Sequence, residues 1–311
     1  MKIYISILIS LLIGLSVEGK ADTGQTSCTQ TKGLTLQVLG SGGPIADDSR
    51  ASSGYLIWID GRSRFLIDAG GGVFLRFGEA GAHFEDLEHV AISHFHTDHS
   101  TDLVALLKSG YFSNRSRKLP ISGPAPGGDY PGIDDYLQRL LDRDNGAYAY
   151  LNGYLDGSAG LVELEPIEVD AKLTVASTVY KHADDDIEVS ALGVLHGPVP
   201  ALAYRFRIGQ RSIVFAGDQN GDSAAFIEFA HGADLLVMHM PVPENIAGVG
   251  RKLHAPPSLI GKIAAETGTA RLVLSHFMAR SLETSEENLK QIRSRFSGNL
   301  VSANDLDCIG F

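Results

Sequence analysis

The chain has 311 residues, 44% of them hydrophobic, and a formal net charge of −11. That length and apolar content support a large globular domain with a true core. The acidic balance argues against nucleic acid or anionic lipid as a general partner, but leaves room for a small anionic substrate where divalent metals dominate the local field.

Residues 1–21 read as a secretory signal. Lys2 supplies the charged start, 3–17 is an almost unbroken apolar run too short for a comfortable span, and Gly19 and Ala21 offer small residues for cleavage. The expected product is a periplasmic or secreted single domain over 22–311, with no stable membrane anchor. Cys28 and Cys308 lie near the two ends of that mature chain. In an oxidising compartment they are expected to pair, the alternative being two free thiols.

Residues 34–39 alternate as a strand and run into Gly40-Ser41-Gly42-Gly43-Pro44, a structural turn or one wall of a site. No Gly-Lys-Ser/Thr follows, so the turn is not a phosphate-binding P-loop. Segments 53–59 and 64–67 form an expected hairpin closed by Asp60-Gly61. Asp68, at the end of that second strand, either orients a ligand histidine or caps the following helix. His83 and His89 lack partners at ligand spacing and are assigned to the surface or to turns.

The chemistry concentrates next. The apolar run 90–93 leads into His94-Phe95-His96-Thr97-Asp98-His99, and an amphipathic run over 101–111 follows. His94 and His96 are two residues apart, so in extended backbone they point the same way. Three histidines and an aspartate within six residues, without cysteine, suit zinc, with manganese or iron as alternatives. Such a loop can serve two adjacent ions.

A short strand is expected near 120–124. The least regular segment is 125–160, with a helical stretch at 134–141 and Tyr130, Tyr136, Tyr148, Tyr150 and Tyr154. It is expected to line a substrate pocket, the alternative being a tyrosine-rich cover over the core. Strand-like runs follow at 161–169, 173–180, 187–195, 202–208 and 212–216. A helix is expected at 223–230, a strand at 235–240, a helix at 257–266, a strand at 272–274 and a helix at 286–295. His196, Asp218 and His276 each follow a predicted strand. Strands with a few helices, twice over, imply an α/β fold in which two packed sheets carry helices outside, an αββα sandwich.

At this point His94-x-His96-x-Asp98-His99, with His196, Asp218 and His276, resembles the metallo-β-lactamase fold hydrolases over most of the mature chain. The resemblance implies one zinc on His94, His96 and His196, a second on Asp98, His99 and His276, and Asp218 bridging both. It implies hydrolysis by a metal-bound hydroxide, with Asp98 serving catalysis as well as ligation. Within the superfamily the residues are most similar to the tRNA 3′-processing endonuclease (RNase Z) branch and the related zinc arylsulfatases and phosphodiesterases. The features are the Leu39-Gly40-Ser41-Gly42 turn, the full ligand set, the run from His196 into residues 200–205, and His254 ahead of a helix, where the branch carries a histidine near the leaving group. His254, if protonated, would donate to the leaving oxygen.

The departures point elsewhere. The tRNA enzymes carry a glycine- and lysine-rich arm, whereas 125–160 has only Arg139 and Arg143 and no lysine. The resulting expectation is an exported, arylsulfatase-like or phosphodiesterase-like enzyme for a small anionic ester, with no nucleic acid partner. Related enzymes often dimerise, so a homodimer is the assembly implied. A lactonase or β-lactamase on the same metals, and a non-catalytic metal-binding protein, are the alternatives. His182, His231 and His239 lack a matching role, although His239 ends a strand near the site edge and could support a ligand from behind.

Overall fold

The computed structural model describes residues 28–182 and 184–311, so the expected signal segment lies outside the described residues. The chain opens with β1 (Leu34–Gly40), β2 (Gly54–Ile59) and β3 (Arg62–Ile67), a three-stranded antiparallel meander. Asp60 and Gly61 make the second turn with φ of 50° and 75°, the doubly positive conformation that an Asp-Gly pair favours. Then come α1 (Val73–Glu79), β4 (His89–Ala91), α2 (Thr97–Ser100), α3 (Leu103–Gly110), β5 (Leu119–Pro124), α4 (Ile133–Leu141) and β6 (Leu164–Val169).

The second half starts with the antiparallel β7 (Ser177–His182), β8 (Ile187–His196), β9 (Val199–Ile208) and β10 (Arg211–Phe215). It continues through α5 (Ala224–Ala230), β11 (Leu235–His239), α6 (Gly248–Leu253), α7 (Pro257–Thr267), β12 (Arg271–Ser275), α8 (Ala279–Leu282), α9 (Ser285–Arg293), β13 (Asn299–Ser302) and β14 (Cys308–Gly310).

One sheet has the order β14-β1-β2-β3-β4-β5-β6 and the other β13-β12-β11-β10-β9-β8-β7. Side-chain alternation builds the layers. On β2, Tyr55 and Ile57 enter the cluster between the sheets with Phe65, Tyr204, Phe206 and Phe215, while Leu56 and Trp58 turn outward toward the helical layer. Leu103, Leu106, Ile133 and Leu137 complete that outer layer, and Phe226, Ile260, Ile263 and Ile292 cover the second sheet. This is the expected αββα sandwich.

Strand direction positions the site. β3 through β6 run parallel, as do β10 through β13, and β8 runs the same way as β10 because both are antiparallel to β9. The carboxyl ends of β4, β8, β10 and β12 therefore open toward one edge, the place where α/β sheets offer loops to ligands.

Several details differ from the sequence reading. The 125–160 segment is not irregular: α4 and a 3-10 turn at Ala149–Leu155 bury Ile133, Leu137, Leu141, Leu151 and Tyr154 in the outer layer. The Ile133-Leu137-Leu141 spacing makes one apolar helix face, so the segment is mainly a cover over the core. His89 is not a surface residue. β4 lies between β3 and β5, both faces of this sheet are covered, and His89 is fully buried. The short strands β13 and β14 were not anticipated. β14 pairs with β1 at the sheet edge, where Cys308 is disulfide-bonded to Cys28 across a Cα separation of 5.8 Å.

Candidate metal centre

His94 and His96 leave β4 in extended backbone, and His96 caps the one-turn helix α2, which carries Asp98 and His99. The expected loop is thus half strand extension and half helix. This turn needs a glycine beside it: a Cβ at Gly70 would stand 2.1 Å from the Asp98 carbonyl oxygen. Asp218 follows β10 through Gly217, whose φ is 61° and whose Cβ would meet the Leu202 carbonyl at 2.5 Å. His276 follows β12 with a φ of 57°, a conformation rarely taken by a residue with a side chain and often found at functional sites.

The donor atoms converge in two adjoining sets. In the first, His94 Nε2 lies 3.0 Å from His96 Nδ1, and His196 Nε2 lies 3.4 Å from the same His96 atom. Asp218 Oδ2 stands 3.6 Å from His196 Nε2 and 4.0 Å from His94 Nε2. In the second, His276 Nε2 is 3.1 Å from Asp98 Oδ2 and 3.2 Å from His99 Nε2. Asp218 reaches this set too, with Oδ1 3.4 Å from His276 Nε2 and Oδ2 3.7 Å from His99 Nε2. Ligands in a tetrahedral zinc shell stand roughly 3.3 Å apart, so both sets fit a metal ion by donor type and by spacing.

Neighbouring groups fix which ring nitrogens are free. Asp68 accepts from His99 Nδ1 at 2.8 Å and is itself held by the Ser93 amide and hydroxyl. Of the two roles open to Asp68, the structure selects the one that orients a histidine. His196 Nδ1 donates to the Leu253 carbonyl at 3.0 Å, and Ser93 Oγ lies 3.1 Å from His94 Nδ1. In each case the Nε2 lone pair is left facing the cluster.

His239, expected at most as a support at the site edge, is part of the assembly. His99, Asp218, His239 and His276 come within ligating distance of one another. Even so, His239 is a support for Asp218 rather than a further ligand. Burial pushes the Tyr55 phenol above its ordinary range, so Tyr55 remains a hydrogen donor, and its hydroxyl lies 3.1 Å from His239 Nε2. The proton therefore sits on Nδ1, which donates to Asp218 Oδ1 at 2.6 Å. Both nitrogens of His239 are occupied, and Asp98 takes its place in the second set.

The electrostatics suit a cation. Burial alone would raise the Asp98 carboxyl, but His99 and His276 hold it down to about 2. Asp218 is likewise held well below the carboxylate range, against burial, by His276, His254 and His99. Burial and neighbouring histidines lower His94 and His96. His99 is the exception: burial lowers it, but Asp68, Asp218 and Asp98 outweigh burial and lift it to about 9.

A cavity of about 480 Å³ opens beside the cluster, lined by Pro44, Phe95, Leu253, His254, Met278 and Arg280 together with ligand residues. No residue of 125–160 lines it, so the expected pocket wall is supplied by other loops. His254 is 8% exposed, with Nδ1 buried, lacking a hydrogen-bond partner, and 3.9 Å from Asp218 Oδ2. Burial holds its pKa near 3, against the pull of Asp218, so the imidazole is neutral here rather than the protonated acid expected. Ser93, Tyr55, Phe95 and Arg280 were missed by the sequence reading. Only Ser93 and Phe95, adjacent to ligands, carried a local signal.

Comparison with known proteins gives the family. The model of the family described as Beta-lactamase superfamily domain matches residues 63–277. Ribonuclease Z of Mycobacterium bovis is 27% identical over 286 residues, covering 88% of this chain and 96% of that protein. The metallo-beta-lactamase fold protein YhfI from Bacillus subtilis superposes with a TM-score of 0.69 at 22% identity, covering 89% of this chain and 99% of that one. Human tRNase Z, short form, superposes with a TM-score of 0.67 at 18% identity, covering 89% and 98%.

These findings correct two expectations. The reading as an arylsulfatase-like enzyme for small esters is overturned, because the relatives that match nearly the whole chain are named for a ribonuclease. The expected absence of a nucleic acid partner falls with it. Overall charge and the missing lysine-rich arm misled, since neither reports on the local field of the metal site. The chain belongs to the family of the beta-lactamase superfamily domain, with the metallo-β-lactamase fold, and is a metal-dependent hydrolase.

Proposed function

We propose that the chain hydrolyses phosphodiester bonds of RNA, using two divalent ions, zinc by donor preference. The observation that carries this reading is the pair of donor sets sharing Asp218, set in a chain that aligns over 88% of its length with a ribonuclease Z. His94, His96 and His196 would hold one ion, and Asp98, His99 and His276 the other, with Asp218 common to both. When bound, such ions polarise a phosphoryl oxygen and bring the pKa of coordinated water toward neutrality.

The chain's own residues do the rest. Asp68 and Ser93 fix His99, the Leu253 carbonyl fixes His196, and Tyr55 acts through His239 on Asp218. His254 faces the cavity and presents a ring N–H to the oxygen that leaves. Arg280 lines the same cavity with its Nε anchored on the Pro241 carbonyl at 2.9 Å, and its remaining N–H groups suit a phosphate oxygen. Two divalent charges would outweigh the carboxylates of Asp98 and Asp218, so the loaded site would attract an anion although the whole chain is acidic. Export remains part of the reading, and the Cys28–Cys308 bridge supports it, since such bridges persist in oxidising compartments.

The test is cleavage by the zinc-loaded chain of a precursor tRNA with a 3′ trailer, a single-stranded RNA and bis(p-nitrophenyl) phosphate, with p-nitrophenyl sulfate as control. The expected result is chelator-sensitive cleavage of RNA and of the diester, with the sulfate untouched. Turnover of a lactone or β-lactam with no cleavage of RNA or of the diester would overturn the reading.

A further inference from the structure

A partly exposed aromatic ring beside a metal cluster is a surface on which a flat ligand group can rest. Phe95 is such a residue. It stands between His94 and His96 in the chain and lines the cavity that opens on the cluster. Tyr136 of α4 stacks on its ring, with centroids 4.5 Å apart and planes inclined by 16°. Tyr136 does not itself line the cavity, and it is pinned: its hydroxyl donates to the Ser100 carbonyl at 3.2 Å, and α4 is seated by buried Ile133, Leu137 and Leu141. Phe95 is thus backed by a fixed ring and keeps part of its surface for the cavity. Tyr130 adds a third ring on this side, 6.4 Å from His96.

The rest of the cavity is consistent with a bound nucleotide. Its apolar wall continues through Pro44, Leu253 and Met278, while Arg280 is its one arginine or lysine. The cations that the ligand residues would hold, with Arg280, suit a phosphate, and the apolar wall suits something flat and uncharged. The volume of about 480 Å³ lies within the range of small-ligand sites. Aromatic side chains hold nucleobases by stacking, which tolerates any base because every base has a π-face.

We propose that Phe95, backed by Tyr136, is a stacking shelf for the nucleobase next to the cleaved phosphate. The inference rests on the RNA-hydrolase reading and sharpens it: cleavage tolerates changes of base at that nucleotide but needs a base there. Phe95 would bind substrate and is not one of the candidate ligand residues.

The experiment uses the zinc-loaded full chain and a short RNA whose cleavage site has first been mapped. Three versions are compared: the intact RNA, one with an abasic ribose immediately 5′ of the cleaved phosphate, and one with it immediately 3′. One abasic position is expected to lower kcat/KM at least about fivefold through KM, the other much less. Phe95→Ala is expected to produce the same loss on intact RNA and little further loss on the sensitive abasic RNA, with metal content unchanged. Phe95→Tyr retains the shelf. Phe95→Leu keeps bulk beside the ligands but removes the π-face, and is expected to behave as Phe95→Ala. Equal loss on intact and abasic RNA in both variants would overturn the shelf while leaving RNA hydrolysis standing. So would wild-type cleavage indifferent to both abasic positions. No cleavage of any RNA would remove the hydrolase reading and the shelf with it.

Discussion

His89 offers a sharp test of the packing between the sheets. It is fully buried, neither ring nitrogen has a hydrogen-bond partner, and its ring lies 5.6 Å from that of Tyr180 in a stacked arrangement. The nearby Arg64–Glu88 pair is satisfied within itself and by Tyr180 and Asp185, and burial alone accounts for the lowering of the His89 pKa from 6.5 to about 3. Between those two values the unfolded chain binds a proton that the folded chain refuses. The stability at stake is therefore complete above pH 6.5 and is lost progressively as the pH falls toward 3. Going from pH 7 to pH 5, this single site should cost about 2 kcal/mol.

The measurement is urea unfolding of wild type and His89→Phe at pH 7, 6 and 5, with metal bound at the start. The phenyl ring keeps the contact with Tyr180 and cannot be protonated. Acid loss of the metal affects both proteins and cancels in the comparison. Wild type should lose about 2 kcal/mol more than the variant over this range. Parallel pH profiles, or an NMR titration placing His89 near 6.5 in the folded protein, would refute the reasoning.

Other outcomes follow from the site and the disulfide. Asp218→Ala removes the carboxylate common to both donor sets and should lower bound metal from both positions, read by elemental analysis, with activity lost in proportion. His254→Ala should retain its metal and lose only about tenfold in kcat on a diester, the worth of one neutral hydrogen bond to the leaving oxygen, and a much larger loss would mean that the ring is protonated in the working enzyme. Tyr55→Phe removes the donor to His239 Nε2. Activity should fall less than in His239→Ala, because His239 Nδ1 can still donate to Asp218; equal losses would contradict the assigned chain of hydrogen bonds. Reducing the Cys28–Cys308 bridge, which spans a sequence separation of 280 residues, should cost up to about 6 kcal/mol of stability by the chain-entropy argument, measured by unfolding with and without reductant.

The sequence alone determined the layer architecture and the cluster. Period-two apolar runs mark strands that bury one face, and His94, His96, Asp98 and His99 are close in space because they are close in the chain. Their resemblance to a known motif then brought in His196, Asp218 and His276, which lie after separate strands and share no local signal. What only the tertiary structure decided is who stands behind and around them. Tyr55 and His239 are 184 positions apart, yet the packing of β2 against β11 joins them into one chain of hydrogen bonds ending at Asp218. Phe95 had no assigned role in the sequence, and only the placement of α4 set Tyr136 against it. His89 read as a turn residue because one isolated histidine carries no periodicity, and its burial depends on sheet order. The cavity wall and the state of His254 depend on distance and burial, quantities that arise only when segments far apart in the chain exclude water together.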